Sequence, residues 1–315
     1  MLLNDISDLV ERLEKRGARR VVLQFPEGLK RRSTEMVAAL KDAGFEVVVS
    51  GDPCYGACDL ALENLGSSDV LVHFGHAPVD EQPHVIFEPW HVAFDVTVLE
   101  NALPFLRGTP IGLVTTVQHV RLIPEMITFL QSRGITCTVA EGSRRTPFPG
   151  QVLGCSFAAA RASGADEILF VGTGLFHPTG IAIATRTRVI ALDPLSGTAQ
   201  EVRGDTLMRR RFAVMEKARG ARTVGIIVST KSGQRREKLA ERLVRLSNNA
   251  VIVIMREVTP DELLNLGFGC YVNTACPRLA YDDQIRFPVP VLSPQEYEII
   301  CGTRSWDEYA IDEIV

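Results

Sequence analysis

Residues 19–29 read RRVVLQFPEGL, a β-branched run that ends in a polar, glycine-containing loop and opens an amphipathic helix over 29–43. The pattern returns twice. TPIGLVTTVQHV (109–120) leads into a helix at 121–133, and ARTVGIIVSTKSGQ (221–234) into one at 234–247. A second strand follows each helix: FEVVVS (45–50), ITCTVA (135–140) and AVIVIM (250–255). A third comes later: DVLVHFG (69–75), EILFVGTG (167–174) and GCYVNT (269–274). Strands alternating with helices predict α/β architecture, with parallel sheets joined by crossovers. The threefold recurrence predicts three similar α/β domains, 1–107, 108–219 and 220–315, with boundaries at LRGTP and KARGAR. Packed with pseudo-threefold symmetry, their strand ends face a common centre.

The chain has 315 residues, more than one average core accommodates. A net charge of -4 argues against a broad basic face for nucleic acid, which needs clustered Lys and Arg. The local basic runs MRRRF (208–212) and KSGQRREK (231–238) read as solvated helix faces. No apolar run approaches the roughly 18–20 residues of a membrane span. The opening MLLNDISDLVERLEKRG carries acids where a secretion signal has its apolar core. Ile6, Leu9, Val10 and Leu13 instead recur at helical spacing before Gly17. The expectation is a cytoplasmic protein, in which seven cysteines are thiols or metal ligands rather than disulfides.

Cys137 and Cys270 lie within apolar strands and Cys301 on a C-terminal helix; all three read as packed thiols. Cys54, Cys58, Cys155 and Cys276 differ, since each lies in a loop beside Gly or Pro. In open parallel sheets ligands collect at the carboxyl ends of strands. Cys58, Cys155 and Cys276 occupy such positions, one in each repeat. A shared metal site assembled from distant loops is one reading; separate loop thiols are the other.

Taken together, YGACD (55–59), PGQVLGCSF (149–157), GTGLFHPTG (172–180), STKSGQ (229–234), ACPRLAYDD (275–283) and PVLSPQE (290–296) resemble the archaeal diphthamide synthase subunit family nearly end to end. The resemblance implies 2-(3-amino-3-carboxypropyl)histidine synthase activity in a homodimer of three-domain subunits. It implies a 4Fe-4S cluster held by Cys58, Cys155 and Cys276. It also implies S-adenosylmethionine as co-substrate, a radical transfer onto one histidine of translation elongation factor 2, and an external electron donor. Cys54 departs from the pattern, which does not require a cysteine there. Three thiolates on a cubane leave one iron open.

Further residues stand at the corresponding strand ends. Backbone amides of Gly172, Thr173 and Gly174 can bind a carboxylate, or simply form a tight turn. Ser229 and Gln234 suit ribose or the amino-acid end of the co-substrate, or a solvated turn. His177 can orient substrate or take the imidazole proton, or be structural. His73, His76 and His119 lie at equivalent positions. Arg278 can pair with a carboxylate or form a surface ion pair. Asp282 and Asp283 can accept bonds from an amine or cap a turn. Two alternatives compete with this reading. A quinolinate synthase-like 4Fe-4S enzyme shares the layout but fits the motifs less well. A structural metal protein would take Cys54 as a fourth ligand to zinc.

Overall fold

Val21, Val22 and Leu23 are fully buried, so β1 (Arg20–Gln24) has no face to offer solvent and is paired on both edges. The same holds for Leu113 and Val114 in the strand Ile111–Thr115 and for Ile226 and Ile227 in the strand Val224–Ser229. Continuous apolar runs of this kind are what a sheet covered on both faces requires. The computed structural model describes residues 6–67, 69–108 and 110–314; residues 1–5, Ser68, Thr109 and Val315, including both extreme ends of the expected domains, lie outside the described residues.

Around β1, the first unit comprises α1 (Ser7–Lys15), α2 (Ser33–Asp42), β2 (Glu46–Val49), β3 (Asp69–Gly75) and β4 (Val85–Pro89). Its sheet has the order β2-β1-β3-β4, parallel throughout. The second unit contains β5 (Ile111–Thr115), α3 (Ile123–Ser132), β6 (Cys137–Thr138), α4 (Ala158–Ala162) and β7 (Glu167–Val171). It continues through α5 (Phe176–Thr185), β8 (Arg188–Leu192) and β9 (Ala199–Val202). The order is β6-β5-β7-β8-β9, with only β9 antiparallel. The third unit runs α6 (Asp205–Ala218), β10 (Val224–Ser229), α7 (Glu237–Val244), β11 (Ala250–Met255) and α8 (Pro260–Leu266). It ends with β12 (Cys270–Asn273), α9 (Arg278–Tyr281), β13 (Val291–Leu292) and α10 (Pro294–Ile300), in the sheet order β11-β10-β12-β13. All three sheets thus follow one plan: the first strand is flanked by the second and third, with the fourth outside. This plan has a topological switch point between the first and third strands, where ligands settle at the carboxyl edge.

Helical segments pack with the sheet that follows them. Leu99 and Ala102, in a 3-10 segment at Val96–Phe105, are buried with Leu113 and Leu169 of the second sheet. Met215 and Ala218 of α6 are buried with Val224 and Ile226 of the third. The chain then returns: Ile311 packs among Phe157, Phe170 and Ile181 of the second unit. No helix among the described residues is long and apolar enough to cross a membrane.

The two basic runs are not simply solvated, as the sequence pattern had suggested. Arg211 is 1% exposed and fork-paired to Glu296, with Nε–Oε1 at 2.8 Å and Nη2–Oε2 at 2.6 Å. Lys231 is also buried, between Asp59 at 3.0 Å and Glu257 at 2.8 Å. A periodicity argument sees charge but not the carboxylate that another element supplies.

Candidate metal centre

Each of Cys58, Cys155 and Cys276 sits in a loop beyond the carboxyl edge of a different sheet, and contacts between units bring the loops together. Gly233, after β10, donates its amide to the Cys58 carbonyl at 3.3 Å. Gln234 Nε2 donates to Cys58 Sγ at 3.1 Å. Arg145, from the loop after β6, donates from Nη2 to the Gly233 carbonyl at 3.1 Å. The C-terminal segment closes the ring: the Ile314 amide donates to the Cys155 carbonyl at 2.9 Å. Arg236 ties that segment to the Cys276 loop, bonding the Thr274 and Ala275 carbonyls at 2.6 and 3.1 Å and both Asp312 carboxylate oxygens. Asn273 fixes the Cys276 loop from within, giving Nδ2–H to the Cys276 carbonyl at 2.8 Å and accepting from the Ala275 amide at 3.0 Å.

The three thiols sense one another. Burial pushes Cys276 up to about 12, and the neighbouring Cys58 and Cys155 push in the same direction. Cys58 is raised chiefly by burial, against the Gln234 hydrogen bond and the charge of Arg145. Cys155 is raised by burial too, opposed by Arg145 and disfavoured further by Cys58. Arg145 is therefore a cation facing two of the three thiols. Its side chain is 8% exposed, and its Nε, itself buried, has no hydrogen-bond partner among the described residues. A buried donor left in this state is costly unless an acceptor completes it. The site thus offers three convergent thiols and an uncompensated cation, the donor set for a soft, anionic metal group. The position of Arg145, ten residues before Cys155, gave no signal in the local sequence; only the folded loop discloses it.

The other expected residues divide. Gln234 reaches Cys58 directly, whereas the buried Ser229 accepts from the Lys231 amide at 3.1 Å and shapes the turn. Arg278 is an exposed cation paired to Asp282 at 2.7 Å and lying 5.3 Å over the Phe176 ring. Asp283 lies 3.8 Å from Arg286; burial raises its carboxyl, Arg278 opposing. His177, stacked on Phe170 at 5.9 Å, is lowered to about 4 by burial and then by Arg278. Gly172 and Gly174, with Leu175, line a hollow of about 250 Å³ towards Asp193, Ser196 and Gln200. Gly174 has φ +76°, a tight-turn conformation that glycine favours. Thr173 is exposed between them. The Cys155 loop meets α5 closely, since a Cβ at Gly154 would stand 2.2 Å from the Phe176 ring. His119 Nδ1 bonds the Val92 carbonyl at 3.0 Å, and its ring meets Phe94 edge-on.

Cys54 does not complete the set as a fourth centre ligand. Its Sγ is grouped with ring nitrogens of His73 and His76, all within 4.8 Å of one another. Cys270 is buried in the third core, while Cys137 and Cys301 are partly buried against apolar clusters, as the sequence predicted.

Comparison with known proteins places the chain in a family. A 2-(3-amino-3-carboxypropyl)histidine synthase of Pyrococcus horikoshii is 37% identical, across 98% of this chain and 93% of the relative. A protein of the same name from Methanocaldococcus jannaschii is 26% identical across 97% and 90%. The human 2-(3-amino-3-carboxypropyl)histidine synthase subunit 1 is 29% identical across 98% and 74%. The crystal structure of Dph2 from Pyrococcus horikoshii with 4Fe-4S cluster superposes with TM-score 0.92 at 36% identity, covering 98% of this chain and 93% of that one. With a family model matching residues 25–311, the chain belongs to the diphthamide synthesis protein family.

Proposed function

We propose that the protein is a 2-(3-amino-3-carboxypropyl)histidine synthase that carries out the first step of diphthamide biosynthesis. The observation that supports this most directly is the meeting of Cys58, Cys155 and Cys276, one from each unit, beside Arg145, whose buried Nε is left without an acceptor among the described residues. On this reading the three thiolates hold a 4Fe-4S cluster with one iron left open. A bound cluster would supply the electron for reductive cleavage of the S–Cγ bond of S-adenosylmethionine, giving methylthioadenosine and a 3-amino-3-carboxypropyl radical; addition of that radical to C2 of a histidine imidazole in translation elongation factor 2, with loss of the C2 proton and return of one electron, would leave the substituted aromatic ring.

The chain's own residues hold and orient. Arg145 offsets the negative charge of the Cys58 and Cys155 thiolates, and Gln234 gives a hydrogen bond to the first of them. Arg236 and Asn273 fix the Cys276 loop through its carbonyls. Arg278, Asp283 and His177 lie around the start of α5 and suit contact with the co-substrate or the incoming histidine. Gly172, Thr173, Gly174 and Ser229 are the more remote candidates for binding it. His177, kept neutral, offers a lone pair rather than a charge. A homodimer served by an external electron donor in the cytoplasm completes the reading.

The test is anaerobic incubation of reduced, iron-loaded protein with S-adenosylmethionine and elongation factor 2. The expected products are methylthioadenosine and a factor heavier by about 101 Da on one histidine, from the composition of the transferred group. Dominant 5′-deoxyadenosine, or an undiminished adduct after replacement of that histidine, sinks the proposal. Quinolinate formed from small acids would favour the competing enzyme class.

A further inference from the structure

We infer that Cys54, His73 and His76 form a binding site for one zinc-class divalent cation, separate from the three-cysteine centre. The site lies at the switch point of the first sheet. Gln24 ends β1 and is the register partner of His73 on β3, so both side chains stand at the carboxyl edge between the first and third strands. His76 immediately follows β3, and Cys54 comes from the loop after β2. Cys54 and His73 are buried and His76 is half-buried.

The donor atoms are already near coordination distance from each other. His73 Nε2 and His76 Nδ1 are 3.0 Å apart, and the Cys54 sulfur lies with them inside a 4.8 Å group. Tetrahedral zinc, with nitrogen at about 2.0–2.1 Å and sulfur at about 2.3 Å, sets its ligand atoms roughly 3.3–3.6 Å apart. Small side-chain adjustments close that difference. One thiolate with two imidazoles is a borderline-soft set, suited to zinc and unsuited to magnesium or calcium. Three protein ligands leave the fourth position for water or another ligand.

The surroundings orient the donors as a metal site requires. Gln24 Oε1 accepts from the Ala61 amide at 3.3 Å, while Gln24 Nε2 donates to the Asp59 carbonyl at 2.8 Å. Those backbone partners fix which end of the amide is oxygen. That oxygen stands 2.9 Å from His73 Nδ1, so Nδ1 carries the proton and Nε2 presents its lone pair to Cys54 and His76. An outer hydrogen bond of this kind is the usual support for a metal-bound histidine. Without an ion, His76 Nδ1–H donates to His73 Nε2. With one, the His76 proton moves to Nε2 and the Cys54 proton leaves to solvent. The ion then ties the loop carrying Cys58 to β3 through Cys54, four residues earlier. The site is independent of the reaction proposed above.

The test is zinc and iron analysis of anaerobically purified full-length protein, followed by titration of the zinc-stripped protein with Zn²⁺ and with Co²⁺ as a spectroscopic probe. The expected result is one zinc per chain beyond any iron, and a Co²⁺ spectrum with a thiolate charge-transfer band. Cys54→Ser and His76→Gln, folded by circular dichroism, lose the zinc and the band while keeping iron. The variant C58A/C155A/C276A loses iron and keeps both. Zinc that disappears only in that triple variant, zinc unaffected by Cys54→Ser and His76→Gln, or no stoichiometric binding by the stripped protein, each overturns the inference. Iron is read separately, so failure of the reaction reading leaves these outcomes intact.

Discussion

Gly233 of the third unit lies so close to Cys58 of the first that a Cβ on it would stand 2.6 Å from both the Cα and the Cβ of Cys58. Backbone cannot yield as a flexible side-chain tip can, so Gly233→Ala must separate the two loops. The expected cost is roughly 1–3 kcal/mol, as for other overpacked sites, with less iron retained after reconstitution. Urea unfolding and iron analysis measure both. Gly220→Ala, at a position with nothing within 4 Å, is the control and should stay within about 0.5 kcal/mol of the parent.

Single changes of Cys58, Cys155 or Cys276 to Ala should each remove most of the iron bound on anaerobic reconstitution. Cys54→Ala should retain it, because its sulfur is grouped with His73 and His76. Iron content and the visible spectrum decide the matter. Loss of iron in Cys54→Ala together with its retention in Cys58→Ala would reverse the assignment.

Arg145 lowers the thiols of Cys58 and Cys155 but is not among the influences on Cys276. In iron-free protein, Arg145→Met should therefore slow alkylation of Cys58 and Cys155 at pH 8 relative to Cys276, since the thiolate is the reacting form. Arg145→Lys should restore part of the difference. Peptide mass spectrometry after timed alkylation gives the three rates. Equal slowing at all three cysteines would point to a general packing change instead.

How much was legible beforehand follows from the range of the forces involved. The alternation of strands and helices and the loop positions of the cysteines rest on local patterns, β-branched runs and glycine punctuation, and these read correctly in all three units. Arg145 and the Lys231–Asp59 pair depend on which loop of one unit meets which loop of another. No spacing encodes that meeting. The run at 208–212 shows the same limit: its arginines look alike in sequence, yet Arg211 is enclosed while its neighbours Arg209 and Arg210 are exposed. Cys54 was visible as an oddity beside Cys58, and His73 and His76 as strand-end residues. Their convergence needed the β1–β3 register.

Arg211 bonds Glu296 twice and the Val291 carbonyl at 2.7 Å, and also donates to the Ala280 carbonyl; Tyr309 donates to Glu296 at 3.0 Å. Removing one partner leaves a buried charge uncompensated. Arg211→Met should cost about 3–5 kcal/mol, measured by urea unfolding of the iron-free protein. Adding Glu296→Leu should recover only part of this. Glu296 also accepts from the Ser293 amide at the start of α10, and that bond has no replacement.

His177 gives a pH prediction whose sign follows from its surroundings. Its ordinary value is about 6.5 in the unfolded chain, and burial, with Arg278 adding and Asp282 opposing, lowers it to about 4 in the fold. Between those values the unfolded state binds more protons than the folded state, so stability rises with pH. The contribution is fully present above the unfolded value and is lost as the pH falls through the folded one. The slope from this group is at most about 1.4 kcal/mol per pH unit. Replacing His177 by Asn removes the titrating ring together with its stacking on Phe170. The variant should therefore be less stable at pH 7 yet lose less on acidification to pH 4.5. Thermal unfolding of both proteins at the two pH values measures the difference of differences, in which the pH-independent stacking loss cancels. An unchanged acid sensitivity would show that His177 binds protons alike in the folded and unfolded chain, so burial would not be what keeps its ring neutral below about pH 6.5.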